Sequence, residues 1–195
     1  MYARVVDRHF LLTGGIGSGK STAGRVFGDL GAFVVSADRV GHAVIAPGGA
    51  ASEQVAARFP EAVFGGEIDR SALAELVFAD RAELRALEAI THPAIRAEID
   101  RSIAGREGVV MVEVPLITDF FGPEWKRIVV DAPTEIRIRR LLDRGMAPDD
   151  IDARMAAQPS RGEWLEVADL VVDNRFDLTT LERECRAVWG RITIV

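Results

Sequence analysis

Gly14-Gly15-Ile16-Gly17-Ser18-Gly19-Lys20-Ser21-Thr22 reads G-x-x-x-x-G-K-S, the phosphate-cradling P-loop pattern. Its flanks are the ones the motif needs. His9-Phe10-Leu11-Leu12-Thr13 is a short, largely apolar strand leading in. Behind it, Ala23, Val26, Phe27 and Leu30 recur at helical spacing from Ser21 onward, and Gly31 stops the helix. Glycines let backbone N–H groups turn inward, and the helix start adds partial positive charge. On this reading residues 14–22 hold a nucleoside triphosphate. Lys20 reaches the β- and γ-phosphates, and the Ser21 hydroxyl faces Mg²⁺. The chain carries 24 basic residues, of which only Lys20 and Lys126 are lysines. A lysine at this position in so arginine-biased a chain is what the chemistry of the loop demands.

At 195 residues and 48% hydrophobic content the chain fits one domain with ample core material. A net charge of −6 leaves no basic footprint for general nucleic-acid binding. Small-molecule partners held by local arginines are expected instead. The one cysteine, Cys185, excludes an internal disulfide. The first residues are too polar for a signal peptide, and no apolar run approaches the roughly 20 residues of a membrane span. A cytoplasmic protein without membrane partners is the expectation; oligomeric state stays open.

Further along, Phe33-Val34-Val35-Ser36 is a second strand, closed by Ala37-Asp38-Arg39. From about residue 53 to 103 the pattern is mainly helical, broken at Gly65-Gly66, with Leu73, Leu76 and Val77 on one stripe and Ile95, Ile99 and Ile103 at i, i+4, i+8. Asp80 with Glu83 suggests a capping pair. So long a helical stretch exceeds a simple crossover. An inserted helical subdomain over about residues 50–104 is expected, placed to build an acceptor site. Strands resume at Val109-Val110-Met111-Val112-Glu113-Val114, at 127–131 and at Leu170-Val171-Val172. Residues 134–144 form a basic helix, Pro148 opens another, and the last helix carries Leu181, Cys185, Val188 and Trp189 on one face. Strands alternating with helices around a P-loop predict an α/β fold, a doubly wound parallel sheet of the P-loop NTPase type.

Four features could carry chemistry beside the loop. Asp38 follows the carboxyl end of the second strand, where ligands of open α/β sheets collect; it reads either as the carboxylate that orients a nucleophilic hydroxyl or as a helix N-cap. Glu113, near the end of the third strand, reads as a holder of Mg²⁺-bound water, as a counter-charge to Lys20, or as a plain strand-end acid. Arg137, Arg139, Arg140, Arg144, Arg154 and Arg161 crowd around Gly145-Met146-Ala147-Pro148. Most fit a solvated face paired with nearby aspartates. Arg140 and Arg144 share one helix face and are the candidates for a basic lid over the triphosphate, at about residues 140–160. His92, in Thr91-His92-Pro93, reads as a helix start with a capping or substrate-contacting role; Cys185 and the three tryptophans read as core.

Taken together, these segments resemble the dephospho-coenzyme A kinase family. The resemblance runs in order through Leu12 to Thr22, Ala37-Asp38, Val44-Ile45-Ala46-Pro47-Gly48, Ile68-Asp69-Arg70, Thr91-His92-Pro93-Ala94-Ile95, Val114-Pro115-Leu116-Ile117, Arg140 with Arg144, Arg154-Met155-Ala156-Ala157-Gln158 and Ala168-Asp169-Leu170-Val171-Val172-Asp173-Asn174. It implies ATP with Mg²⁺ as phosphoryl donor and dephospho-CoA as acceptor at its ribose 3′-hydroxyl, the last step of CoA biosynthesis. Lys20, Asp38 and Arg144 would then be catalytic, Gly14 to Thr22 and Arg140 would bind the nucleotide, Ser21 and Glu113 would hold the metal, and the helical insertion would hold the acceptor. Two positions depart from the family pattern: Ser36 stands where an Asp-x-Asp would have its first acid, and Thr118-Asp119 follow Pro-Leu-Ile.

Two other functions are compatible with the loop. A nucleoside or nucleoside-monophosphate kinase would accept free nucleosides or monophosphates. A nucleotide-dependent switch would bind without acceptor-dependent turnover. A guanine-reading Asn/Thr-Lys-x-Asp motif is missing, since lysine occurs only at 20 and 126.

Overall fold

The computed structural model describes residues 8–118 and 120–194; Asp119, singled out above, lies outside them. The described residues fall into two compact units, one made of the chain up to Ser36 and from Gly105 onward, the other of Ala37–Ala104. The second unit begins ahead of the boundary near residue 50 suggested by helical periodicity.

The first unit is built on five parallel strands: β1 (Arg8–Thr13), β2 (Phe33–Ser36), β5 (Val109–Glu113), β6 (Lys126–Asp131) and β7 (Leu170–Asp173), in the order β2-β5-β1-β6-β7. The central strands are near-continuous apolar runs because both sheet faces are covered. Helices α1 (Lys20–Asp29) and α9 (Leu178–Thr193) cover one face. Ala23, Val26 and Phe27 of α1 and Leu181, Cys185, Val188 and Ile192 of α9 meet Phe10, Leu12, Met111, Ile128, Val130 and Val172 from the strands. Helices α6 (Thr134–Asp143), α7 (Pro148–Ala156) and α8 (Arg161–Glu166) complete the unit. Trp164 of α8 and Trp125 are buried, as core residues should be. Chain order reverses on either side of β1, so the crevice for ligands opens past its carboxyl end. The P-loop is there.

The second unit comprises α2 (Ala37–Ile45), α3 (Ser52–Arg58), the hairpin β3 (Val63–Phe64) and β4 (Glu67–Ile68), α4 (Arg70–Ala79) and α5 (Arg81–Ile103). Val44, Val55, Phe59, Leu73 and Val77 form its core, with Leu76, Leu84, Leu87 and Ile95 packed against them. Asp69 caps α4 by accepting from the Ser71 and Ala72 N–H groups at 2.8 and 3.0 Å, and Asp80 caps α5 by accepting from Ala82 N–H at 2.7 Å.

Three local readings change. Ala37-Asp38-Arg39, read as closing the second strand, is the first turn of α2. Gly65-Gly66 is the turn of an antiparallel hairpin, with φ of +61° and +86°. Both central residues in the left-handed region suit a twisted two-residue hairpin, a conformation that glycine adopts without penalty. Thr91-His92-Pro93 lies in the middle of α5 and starts no helix. The helix continues through Pro93 although that residue cannot donate; the buried Thr91 turns its hydroxyl onto the Leu87 carbonyl at 2.9 Å.

Candidate active site

The turn between β1 and α1 is shaped by glycine at each close approach. Gly14, Gly17 and Gly19 have φ of +141°, +79° and +97°. A Cβ on Gly14 would stand 2.4 Å from the Val130 carbonyl oxygen, one on Gly15 2.3 Å from the Arg137 guanidinium, one on Gly17 2.8 Å from the Arg137 carbonyl oxygen, and one on Gly19 2.3 Å from Asn174 Nδ2. The loop is therefore pressed against β6, α6 and the residue that follows β7. Within it, Ser18 N–H donates to the Gly15 carbonyl at 3.0 Å. The Ser18 hydroxyl is buried without a hydrogen-bond partner.

Side chains of the motif take up their posts at the start of α1. Lys20 Nζ donates to the Gly14 carbonyl at 2.9 Å, which folds the ammonium back across the loop. Ser21 Oγ donates to Glu113 Oε1 at 2.7 Å. That pair sets a hydroxyl at the amino end of α1 beside a carboxylate at the carboxyl end of β5, an oxygen-donor set that suits Mg²⁺. The leading N–H groups of α1 have no acceptor within the helix. Together with the ammonium they form a cradle for a polyphosphate.

The arginines separate into distinct roles. Arg140 NH2 donates to the carbonyls of Asn174 (2.9 Å) and Phe176 (3.0 Å), and NH1 to the Ser18 carbonyl (3.5 Å). Its pKa is lowered, first by burial and then by the positive charge of Arg144. Arg144 is exposed and caps the carboxyl end of α6. The two line one cleft of about 260 Å³ with Gly19, Thr22, Phe176 and Leu178, continuous with the loop. Arg161 grips the buried Asp131 through two bonds, Nε to Oδ1 at 2.8 Å and NH2 to Oδ2 at 2.7 Å, and that partnership raises its pKa. Arg139 and Arg154 are exposed, as a solvated face requires. Larger hollows of about 510 and 830 Å³ lie at the amino ends of the strands, beside Trp125, Arg127 and Arg8. That is the end of a parallel sheet where ligands do not collect.

Asp38 is exposed in the first turn of α2, within the second unit, two residues along the chain from Ser36. Ser36 is in register with Glu113. His92 is exposed on α5.

Four residues named in the sequence without a role at the loop hold it in place, and one of them, Arg137, is buried and not on the solvated face expected for most of these arginines. Arg137 is only 4% exposed and donates from Nε to the Ile16 carbonyl at 2.7 Å. Gln158 Oε1 accepts from Ile16 N–H at 2.8 Å. Asn174 Nδ2 donates to the Ser18 carbonyl at 2.7 Å. Thr13 Oγ1 donates to the Val114 carbonyl at 3.1 Å and ties the loop's entry to the end of β5. Arg137 stands three residues before Arg140, hence on the same face of α6; that spacing was the available signal.

Comparison with known proteins converges on one family. Residues 10–179 match the family model described as dephospho-CoA kinase. The dephospho-CoA kinase of Aromatoleum aromaticum is 46% identical over 184 residues, covering 90% of each chain. Among solved structures, TT1252 from Thermus thermophilus is similar with a TM-score of 0.85 and 35% identity, covering 96% of this chain and 100% of that one. The dephospho-CoA kinase from Campylobacter jejuni follows with a TM-score of 0.70 and 26% identity, covering 96% and 98%. With its P-loop, its five-stranded parallel sheet and these relatives, the chain belongs to the dephospho-CoA kinase family.

Proposed function

We propose that this protein transfers the γ-phosphoryl group of ATP to the ribose 3′-hydroxyl of dephospho-CoA, forming CoA and ADP. The observation that carries the reading is the β1–α1 turn, where Lys20, the Ser21–Glu113 pair and the first amides of α1 converge within a chain of this family. The α1 amides and Lys20 bind the β- and γ-phosphates, and Lys20 stabilises charge on the transferring group. Ser21 and Glu113 are the residues that would hold Mg²⁺, which when bound neutralises charge between the phosphates. The cleft beside Gly19 takes the nucleoside, with Arg140 fixing its wall and Arg144 supplying charge towards the phosphates. Asp38 accepts the proton of the acceptor hydroxyl as the new P–O bond forms. The helical unit holds dephospho-CoA, and residues of about 140–160 act as a lid.

No helix among the described residues is long and apolar enough to cross a membrane. Cytoplasmic action on two small-molecule substrates, without a nucleic-acid partner, fits the acidic chain.

The test is ADP release with Mg²⁺-ATP in the presence of dephospho-CoA, AMP, adenosine or no acceptor. Release with dephospho-CoA alone, and CoA as the product, is the expected result. Release with AMP or adenosine alone assigns a nucleotide or nucleoside kinase, and tight ATP binding without acceptor-dependent release assigns a binding module.

A further inference from the structure

We propose that Gln158 and Arg137 are positioning residues for ATP: they hold the two polar backbone groups of Ile16 and so fix the crest of the P-loop from outside it. The inference rests on the reading of ATP as the ligand of that loop.

A loop with glycine at 14, 15, 17 and 19 has unusual conformational freedom. Its amides bind a polyphosphate well only if their directions are set beforehand, since ordering on binding costs affinity. Ile16 is where the loop is held. Its N–H donates to Gln158 Oε1 at 2.8 Å and its carbonyl accepts from Arg137 Nε at 2.7 Å. Neither holder is loose. Gln158 follows α7, and its own N–H donates to the Met155 carbonyl at 3.2 Å. Three residues on, Arg161 is bound through two hydrogen bonds to Asp131 at the end of β6, which fastens the 158–161 turn. Arg137 is buried on α6, with Asp131 as its counter-charge against the cost of burial.

The same contacts explain two glycines that phosphate binding alone does not. Cβ atoms at positions 15 and 17 would strike the Arg137 guanidinium and carbonyl, at 2.3 and 2.8 Å. Position 15 is bare where the Arg137 guanidinium crosses to Ile16, and position 17 is bare both for its φ of +79° and for the Arg137 backbone beside it. The acceptor at position 158 is moreover a neutral amide. A carboxylate there would accept the same N–H and place a negative charge against an incoming polyphosphate.

The test uses three variants of the full-length protein. Gln158→Met keeps the bulk and removes the acceptor; Gln158→Glu keeps an acceptor and adds charge. Arg137→Lys keeps the buried charge and removes Nε. Exchange of the Ile16 amide is read by NMR, ATP affinity by calorimetry with Mg²⁺-ATP and no acceptor, and KM for each substrate from ADP release. Gln158→Met is expected to speed Ile16 exchange and to weaken ATP binding and raise KM for ATP by about three- to tenfold, the loss of one hydrogen bond. KM for dephospho-CoA and the melting temperature stay put. Gln158→Glu restores slow exchange without restoring ATP affinity. Arg137→Lys raises KM for ATP with slow exchange retained. Unchanged Ile16 exchange in Gln158→Met overturns the proposal, as does faster exchange with unchanged ATP affinity. A wild-type protein that binds ATP but gives no dephospho-CoA-dependent ADP rejects the function reading and leaves this one standing. A wild-type protein that binds no ATP removes both.

Discussion

Asn174 Nδ2 lies 2.7 Å from the Ser18 carbonyl and 2.3 Å from where a Cβ on Gly19 would be. The residue after β7 thus closes the P-loop from the side, and Gly19 is bare to admit it. Gly19→Ala meets both a φ of +97° and a buried amide. A destabilisation of about 2–4 kcal/mol is expected, with loss of ATP binding. Gly28 in α1 is the contrast: a Cβ there meets only Val34 Cγ2, at 3.9 Å. Gly28→Ala should stabilise by about 0.5–1 kcal/mol. Urea unfolding of both variants checks the pair; equal effects would refute this account of the loop.

Lys20→Ala removes the ammonium folded across Gly14. A fall in kcat of about 10²–10³ is expected, with an unchanged circular dichroism spectrum because the side chain is only half-buried. Turnover within tenfold of wild type would show that charge at the transferring group is stabilised elsewhere.

Glu113→Gln keeps an acceptor for Ser21 Oγ but loses the negative charge beside it. The Mg²⁺ concentration giving half-maximal rate should rise by about tenfold, an effect of about 1.4 kcal/mol. A titration of rate against Mg²⁺ at saturating ATP reads it, and an unshifted midpoint would leave Glu113 a structural partner of Ser21.

The parallel sheet was legible because its strands are apolar runs punctuated by glycine and proline, and because G-x-x-x-x-G-K-S names its own context. Within the site, Lys20 and Ser21 were legible for the same reason. Arg137 was not: helical spacing tells which residues share a face of α6, and tertiary packing decides that this face turns inward. The Gln158–Ile16 bond joins residues 142 positions apart, and no local pattern encodes such a pair. Likewise Pro93 signals a helix boundary by local rules, yet α5 runs through it, held by packing against α2 and α4.

Asp38→Asn tests the proposed base. The substitution keeps size and the start of α2 but cannot accept a proton from the acceptor hydroxyl. Turnover should fall by about 10²–10⁴ while calorimetric affinity for Mg²⁺-ATP is unchanged. Wild-type turnover in this variant would leave Asp38 an acid favoured by the dipole in the first turn of α2, and proton acceptance to another group.

Cys185 gives a pH-dependent stability with a definite sign. The thiol is fully buried between α9 and the sheet, and its pKa is pushed up from 9.0 to about 12, first by burial and then by the negative charges of Glu182 and Glu184. The unfolded chain releases this proton near pH 9, whereas the folded chain keeps it. The stabilisation is therefore fully present below pH 9 and is lost as pH rises towards 12, by at most about 1.4 kcal/mol per pH unit. Other groups titrate in the same range, so the measurement is a difference: unfolding free energy of wild type minus that of Cys185→Ala, taken from pH 8 to 11. That difference should be flat up to pH 9 and then fall. Parallel curves across the whole range would mean that the buried thiol exchanges its proton as freely as an exposed one. A second reading of the same burial is reactivity: native protein at pH 8 should resist a thiol reagent until urea unfolds it.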